Sequence, residues 1–209
     1  MSFRDPILHP VPIIDLRPTQ ITVGYREVAQ KRRAWRERAS DEAGGERAAE
    51  YLGGHMIPVV LGPKGRHYIL DHHHLCRALH EEGVDHLLVN VVADLRDLTK
   101  ASLWVYLDNR AWCHPYDAEG VRRPFEDLPT TVAHMSDDPY RSLAGELRRA
   151  GGFAKDTTPF SEFIWADFLR RRIKARRIEE DFEGALKRAL ELARGPDADY
   201  LPGWCGPTD

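Results

Sequence analysis

The sequence contains few cysteines and no pattern that would pair them. Cys76, Cys113 and Cys205 lie far apart in a chain of 209 residues, and no C-x-x-C pair occurs. This spacing excludes a disulfide framework and a zinc ribbon, and it suits a reducing compartment. Because the first ten residues also lack the apolar core of a signal peptide, we expect the protein to act in the cytoplasm.

Long hydrophobic runs and an excess of basic charge are also missing. No uninterrupted apolar run approaches the roughly 20 residues of a membrane span, so we predict no membrane partner. The formal net charge of −3 does not support DNA as a partner through an overall basic field. A local basic run over residues 170–177 is typical of a solvated helix face, and it is also the best candidate in the chain for contact with a phosphate backbone.

Two kinds of hydrophobic pattern divide the chain. Short apolar runs predict strands over residues 11–16, 57–61, 67–70 and 87–92, with a turn over 62–65 and helices over about 24–39, 75–82 and 99–109. In the later part of the chain the pattern predicts helices over residues 139–150 and 159–172. It also predicts a last helix, in which Ile178, Phe182, Leu186 and Leu190 repeat every four residues. We therefore predict an α/β domain over residues 1–112 and a mainly helical extension packed on it over residues 113–209.

The most informative stretch is residues 67–82, HYILDHHHLCRALHEE, which predicts a short strand, an abrupt corner and an amphipathic helix. A helix start offers free backbone N–H groups and the positive end of a dipole, so it favours anions and phosphate above all. The histidines His72, His73 and His74, together with Arg77, can donate hydrogen bonds to phosphate oxygens. Asp71 can accept a hydroxyl proton or hold Mg²⁺.

The same residues allow other interpretations. His72 and Cys76 lie four residues apart, which suits two ligands of one zinc ion, although no second pair is obvious. Alternatively, one or two of the histidines only cap the helix or bond to the backbone. Cys76 near a helix start has the position of a nucleophile, but a cysteine within a helix is more often a small apolar core residue. The sequence has no Walker loop and no G-x-S-x-G elbow.

The order of these pieces resembles the ParB/sulfiredoxin-like superfamily. The shared pieces are Leu16-x-Pro18 after the first strand, Ile57-Pro58-Val59, and the strand that leads into the Asp-His-His-His corner. In particular the chain resembles the ParB-like nuclease family, through residues 16–20 (LRPTQ) with 23–24 (VG), 71–74 (DHHH) and 138–143 (DPYRSL). The resemblance covers nearly the whole chain and implies a small mixed sheet with flanking helices.

The resemblance also implies a ligand, because this corner binds ATP in sulfiredoxins and CTP in ParB proteins. A free-serine kinase branch carries Asp-Gly-His-His-Arg there, and Asp71, His73 and His74 match its Asp and paired His. His72 replaces the Gly of that motif, and Leu75 stands in the place of its Arg. The resemblance thus implies a nucleotide ligand, ATP or CTP, with Mg²⁺. The implied catalytic residues are Asp71, His73 and His74, and the implied phosphate-binding residues are His72, His73, His74, Arg77, Gln20 and Lys31.

Two departures from these relatives matter. Gln20 stands where the kinase branch has a glutamate base, and an amide cannot take a proton, although Glu27 is a candidate substitute. The reactive cysteine of sulfiredoxins would fall near His73, so Cys76 is out of register. The first hypothesis is therefore an enzyme of phosphoryl transfer or phosphodiester hydrolysis. The alternative is a non-catalytic module, nucleotide-gated or DNA-associated, whose helical half forms a homodimer or partner surface.

Overall fold

The structure, a computed structural model, describes residues 9–39 and 51–207. It consists of two compact units that interleave along the chain. The first unit contains the residues up to Ile21, Val28–Pro115 and Arg123–Ser136, and the second contains Thr22–Glu27, Tyr116–Arg122 and the residues from Asp137 onwards. The sequence predicts two domains, residues 1–112 and 113–209, with one boundary between them. This division into domains stays a prediction.

A mixed five-stranded sheet organises the first unit. The strands in chain order are β1 (His9–Pro12), β2 (Leu16–Arg17), β3 (Thr22–Val23), β4 (Ile57–Gly62), β5 (Arg66–Ile69), β6 (His86–Asp94) and β7 (Ser136–Asp137). The sheet has the order β1-β6-β4-β5-β2, and β3 pairs separately with β7. β4 and β5 form the predicted antiparallel hairpin, while β4 pairs with β6, and β2 with β5, in parallel. The fold class is mixed α/β, as predicted.

The sheet is strongly curled. β1 and β2 lie at its opposite edges, yet only the 3-10 turn Ile13–Asp15 joins them. Crossing five flat strands would need about 19 Å at about 4.8 Å per spacing, whereas four chain steps span at most about 14 Å. The two edges must therefore approach each other. The single edge strand predicted over residues 11–16 is wrong, because this run supplies two short strands that pair with different partners.

The helices that accompany the sheet include α1 (Tyr25–Ala39), α2 (His73–Glu81) and α3 (Lys100–Asn109). α2 presents Leu75 and Leu79 to the core, where both are fully buried, as its amphipathic pattern predicts. Its end at Gly83 is also as predicted, since this glycine adopts a positive φ of 75°. Thr99 caps α3 by accepting a hydrogen bond from the amide of Ser102 at 3.1 Å.

Helices dominate the second unit. They are α4 (Pro139–Arg149), α5 (Ser161–Arg170), α6 (Ala175–Glu180) and α7 (Phe182–Arg194), and their shared core contains the fully buried Leu143 and Trp165. The single last helix predicted from the four-residue repeat is wrong, because Asp181 interrupts it and caps α7 by accepting from the amide of Gly184 at 2.9 Å. None of the helices in the described ranges combines the length and apolar character that a membrane span requires.

Candidate functional site

The corner predicted from the sequence lies entirely in the first unit, between β5 and α2. β5 ends at Ile69, and His72 stands immediately before α2 with φ 65° and ψ 24°, a left-handed conformation that residues with a Cβ rarely adopt. The amide of His72 donates to the carboxylate Oδ1 of Asp71 at 2.6 Å. The Asp71 side chain is exposed. This pair reverses the chain within two residues and leaves a carboxylate beside the start of the helix.

The position of His72 carries a glycine in the kinase-branch motif that the sequence resembles. A glycine in that motif suits a positive φ without strain, because glycine has no Cβ. In this chain the position has a positive φ and carries a histidine. Strained positions of this kind cost of order 1–3 kcal/mol, and they cluster at functional sites. Among the three histidines, the strained backbone therefore indicates His72 as the candidate functional residue.

The His72 imidazole is half-buried and lies 6.3 Å, between ring centroids, from the ring of His55. Burial lowers the pKa of His72 below its ordinary value; the Asp71 carboxylate opposes this shift, and the charges of Lys31 and His55 reinforce it. The ring is therefore neutral at neutral pH, with one nitrogen that can accept a proton. Lys31 is half-buried on α1. Because its charge lowers the pKa of His72, Lys31 lies near the His72 ring.

His73 has a different position, because it holds the Leu16–Gln20 segment against the corner. The amide of Thr19 donates to Nε2 of His73 at 3.2 Å, and the Thr19 hydroxyl donates to the carbonyl of Ile69 at 2.6 Å. Both residues are buried. Because Nε2 accepts a hydrogen bond, a neutral His73 carries its proton on Nδ1. This geometry favours the interpretation in which one histidine bonds to the backbone.

Arg77 is also engaged within the protein. Its Nη1 donates to the carbonyls of Val132, Ala133 and Met135 at 3.1, 2.6 and 3.1 Å, and its Nε donates to Glu81 at 2.6 Å. The guanidinium thereby satisfies the carbonyls around a 3-10 turn more than 50 residues away in sequence. Arg77 anchors this turn to α2, and the arrangement does not favour the phosphate clamp predicted from the sequence.

The remaining predicted residues are buried. His74 is buried in the first turn of α2. Gln20 is buried and forms an isolated parallel bridge with His114, whose amide donates to the carbonyl of Thr19 at 2.7 Å. Cys76 is fully buried, and burial raises the pKa of its thiol far above the ordinary value.

A metal centre made of protein ligands alone does not fit these surroundings. Zinc binds the thiolate, which burial of Cys76 disfavours, so the His72–Cys76 pair is a poor ligand set. Over residues 9–39 and 51–207, no three His, Cys, Asp or Glu side chains gather as a metal-binding group. The exposed Asp71 does fit Mg²⁺ of the kind that is held by one carboxylate together with substrate phosphates.

Ion pairs occupy much of the basic charge that the sequence displays. On α1, Arg32 and Arg36 both pair with Glu82, at 2.5 and 2.6 Å. In the basic run over residues 170–177, Arg170 pairs with the buried Asp138 at 2.6 Å, and Arg171 pairs with Asp167 at 3.0 Å. Glu82 is not among the site residues predicted from the sequence. Its position at the end of α2, with Glu81 before it, is the signal that could have indicated a partner for α1.

The curled mixed sheet and the strand-to-helix corner define a ParB-like α/β protein. The family described as "Putative ParB-like nuclease" matches residues 9–171. The chain therefore belongs to the ParB-like nuclease family. It is also similar to a solved structure, protein Atu1540 from Agrobacterium tumefaciens, with 48% sequence identity, a TM-score of 0.88, and coverage of 97% of this chain and 100% of that chain. Comparison with curated proteins gives no match.

Proposed function

We propose that this protein binds a nucleotide or another phosphate ester at the Asp71–His74 corner and hydrolyses a phosphodiester bond there. The observation that carries the proposal is His72, a neutral imidazole held in a left-handed conformation at a helix start, with the Asp71 carboxylate on one side and the charge of Lys31 nearby. Membership of a family named for nuclease activity supports the choice of phosphodiester hydrolysis.

Each group has a distinct role in this proposal. The first-turn amides of α2 and the ammonium of Lys31 attract and stabilise the charge of the phosphate. His72 takes a proton from a water molecule, the resulting hydroxide bonds to phosphorus, and the ester P–O bond breaks as the leaving oxygen is protonated from solvent. His73 positions the Leu16–Gln20 segment through Thr19, and it takes no part in proton transfer. This set differs from the residues expected from the resemblance, where His73 and His74 were catalytic.

Magnesium has a place in the proposal through Asp71. This carboxylate would hold the ion together with phosphate oxygens of the substrate, and the ion would supply charge neutralisation at the phosphate. The amide of His72 donates to Asp71 Oδ1, and the carboxylate of Asp71 would still have capacity to hold the ion. ATP and CTP remain the nucleotides expected from the family resemblance.

The test separates binding from turnover. Thermal shift with ATP, CTP, GTP, ADP and inorganic phosphate, with and without Mg²⁺, measures binding, because a ligand of the native state raises the melting temperature. Hydrolysis of bis(p-nitrophenyl) phosphate measures phosphodiesterase activity. His72→Gln should lower turnover by about 10²–10⁴-fold, the usual contribution of a general base, while nucleotide binding persists. Asp71→Asn should remove the dependence on Mg²⁺.

His86→Gln is the matched control, since His86 is an exposed histidine of the same unit at the start of β6. It should leave both binding and turnover unchanged. Turnover that survives His72→Gln would contradict the catalytic assignment. Nucleotide binding without turnover in the wild type would instead identify the non-catalytic module, and DNA as its partner would be recognised by a steep dependence of affinity on salt.

A further inference from the structure

A second group of polar side chains lies on the sheet of the first unit, apart from the corner residues that the proposed function uses. In the parallel pairing of β2 with β5, Arg17 stands opposite Tyr68. Side chains alternate between the two faces of a strand, so Arg66 and Tyr68 share one face of β5 and Arg17 joins them there. α3 supplies Trp104, whose ring lies edge-on to Tyr68 with 5.3 Å between centroids.

These four side chains present hydrogen-bond donors. The Nε of Arg17 and the indole Nε1 of Trp104 are both buried without a hydrogen-bond partner in the described part of the chain. A buried polar group without a hydrogen-bond partner costs free energy. The two unpaired donors beside Tyr68 therefore suit a ligand that supplies an acceptor. The phenol of Tyr68 is a third donor, since burial raises its pKa against the opposing charges of Arg66 and Arg17 and keeps it protonated.

The local charge is positive. The charged groups that act on the Tyr68 phenol are the two guanidinium groups of Arg66 and Arg17. The ring itself is held in place, because Gly62 lies beneath it: a Cβ at Gly62 would come within 2.5 Å of the Tyr68 ring and 2.9 Å of Leu103. A cluster of donors with positive charge, two of them buried without a partner in the described part of the chain, is suited to an oxyanion.

We propose that Arg17, Arg66, Tyr68 and Trp104 form a second oxyanion site, which takes a tetrahedral phosphate group. The site uses none of the residues to which the proposed function assigns a role in catalysis or phosphate binding. Its ligand is a free phosphate or the phosphate group of a larger ester, since both present the same oxygen atoms to the two guanidinium groups.

The indole N–H of Trp104 provides a direct readout. The chain has five tryptophans, so a ¹⁵N spectrum of the full protein contains few indole signals, and Trp104→Phe identifies the signal of Trp104. Inorganic phosphate is titrated into the millimolar range while sodium chloride keeps the ionic strength constant. The Trp104 signal should move and saturate, and Arg17→Gln should weaken phosphate binding about tenfold or more.

Tyr68→Phe is the second variant, because it removes one hydroxyl and keeps the packing of the ring. It should also weaken binding, with the melting temperature showing that the fold persists. Arg96→Gln is the matched control: it removes one exposed arginine of the same unit that pairs with Asp94, and it should leave the titration unchanged. Adenosine monophosphate in a parallel titration separates the ester from free phosphate, and either response supports the site.

Three results would overturn the proposal. One is a Trp104 signal that moves equally in sodium chloride alone, which would show a general salt effect. Another is a response to acetate with none to phosphate or sulfate, which would exclude a tetrahedral anion. The third is loss of the response in His72→Gln but not in Arg17→Gln, which would place the bound phosphate at the corner. This last result would leave the proposed function standing, so the two proposals fail separately.

Discussion

Replacing His72 by glycine and by alanine tests whether this position is strained. Both variants remove the imidazole, and they differ only in the Cβ that alanine retains. The backbone at His72 has φ 65° and ψ 24°, and a Cβ in this region costs about 1–2 kcal/mol relative to the right-handed conformation. Glycine avoids that cost, although it adds about 0.4–1 kcal/mol of conformational freedom to the unfolded chain.

The difference between these terms gives the expected magnitude. His72→Gly should be more stable to unfolding than His72→Ala by roughly 0.5–1 kcal/mol. In a chain of this size, each 1 kcal/mol shifts the melting temperature by about 2–4 °C, so the glycine variant should melt about 1–4 °C above the alanine variant. Both variants should lose phosphodiesterase activity, because neither has an imidazole.

Urea unfolding followed by circular dichroism and fluorescence measures the comparison. Val105, an exposed residue inside α3, provides the matched pair: there the alanine variant should be the more stable by about 1 kcal/mol, since glycine is a poor helix former. The order of stability must invert between the two positions. If His72→Ala is as stable as His72→Gly, or more stable, the inference of a strained left-handed corner is refuted.

Two further predictions concern packing and pH. Gly24→Ala should destabilise the protein by about 1–3 kcal/mol in urea unfolding, because its Cβ would lie 2.7 Å from the amide nitrogen of Ser142, whereas Gly53→Ala, with open space around it, should not destabilise it. The side-chain hydrogen bond from Arg36 holds the pKa of Glu82 below its ordinary value. The resulting stability is present above the unfolded-state pKa of about 4.3 and is lost as the pH falls through the lower folded-state value. The wild type should therefore lose more melting temperature than Glu82→Gln on acidification from about pH 5 to about pH 3, and equal losses would refute the ion pair.

Local signals explain most of what the sequence predicted correctly about the fold. The turn at Pro63–Gly65 and the starts of α3 and α4, which Thr99 and Asp138 cap, each involve residues within a few positions, and all three elements form where the sequence predicts them. The prediction of a single strand over residues 11–16 was wrong, because the pairing partners of this run, and not its local propensity, decide where it divides.

The candidate site was less predictable for the same reason. The residue types at the corner indicated its place, but the division of labour among them depends on partners distant in sequence. Thr19 reaches His73 across 54 positions, and Ala133 reaches Arg77 across 56. Nothing near His73 or Arg77 in the sequence distinguishes an engaged side chain from an available one. The positive φ of His72 was not predicted either, although the glycine at this position in the kinase-branch motif could have indicated it.

The placement of β1 and β2 at opposite edges of the curled sheet has a consequence for synthesis on the ribosome. Both strands leave the ribosome well before their partners: β2 pairs with β5, which ends at Ile69, and β1 pairs with β6, which begins at His86, so the sheet is not fully paired until β6 has been made. β1 must therefore wait in an unpaired state while more than 70 further residues are added. Pairings this distant slow folding and leave strand edges exposed to other chains. A pause in translation shortly after β6 has emerged would let the sheet close before the second unit is complete.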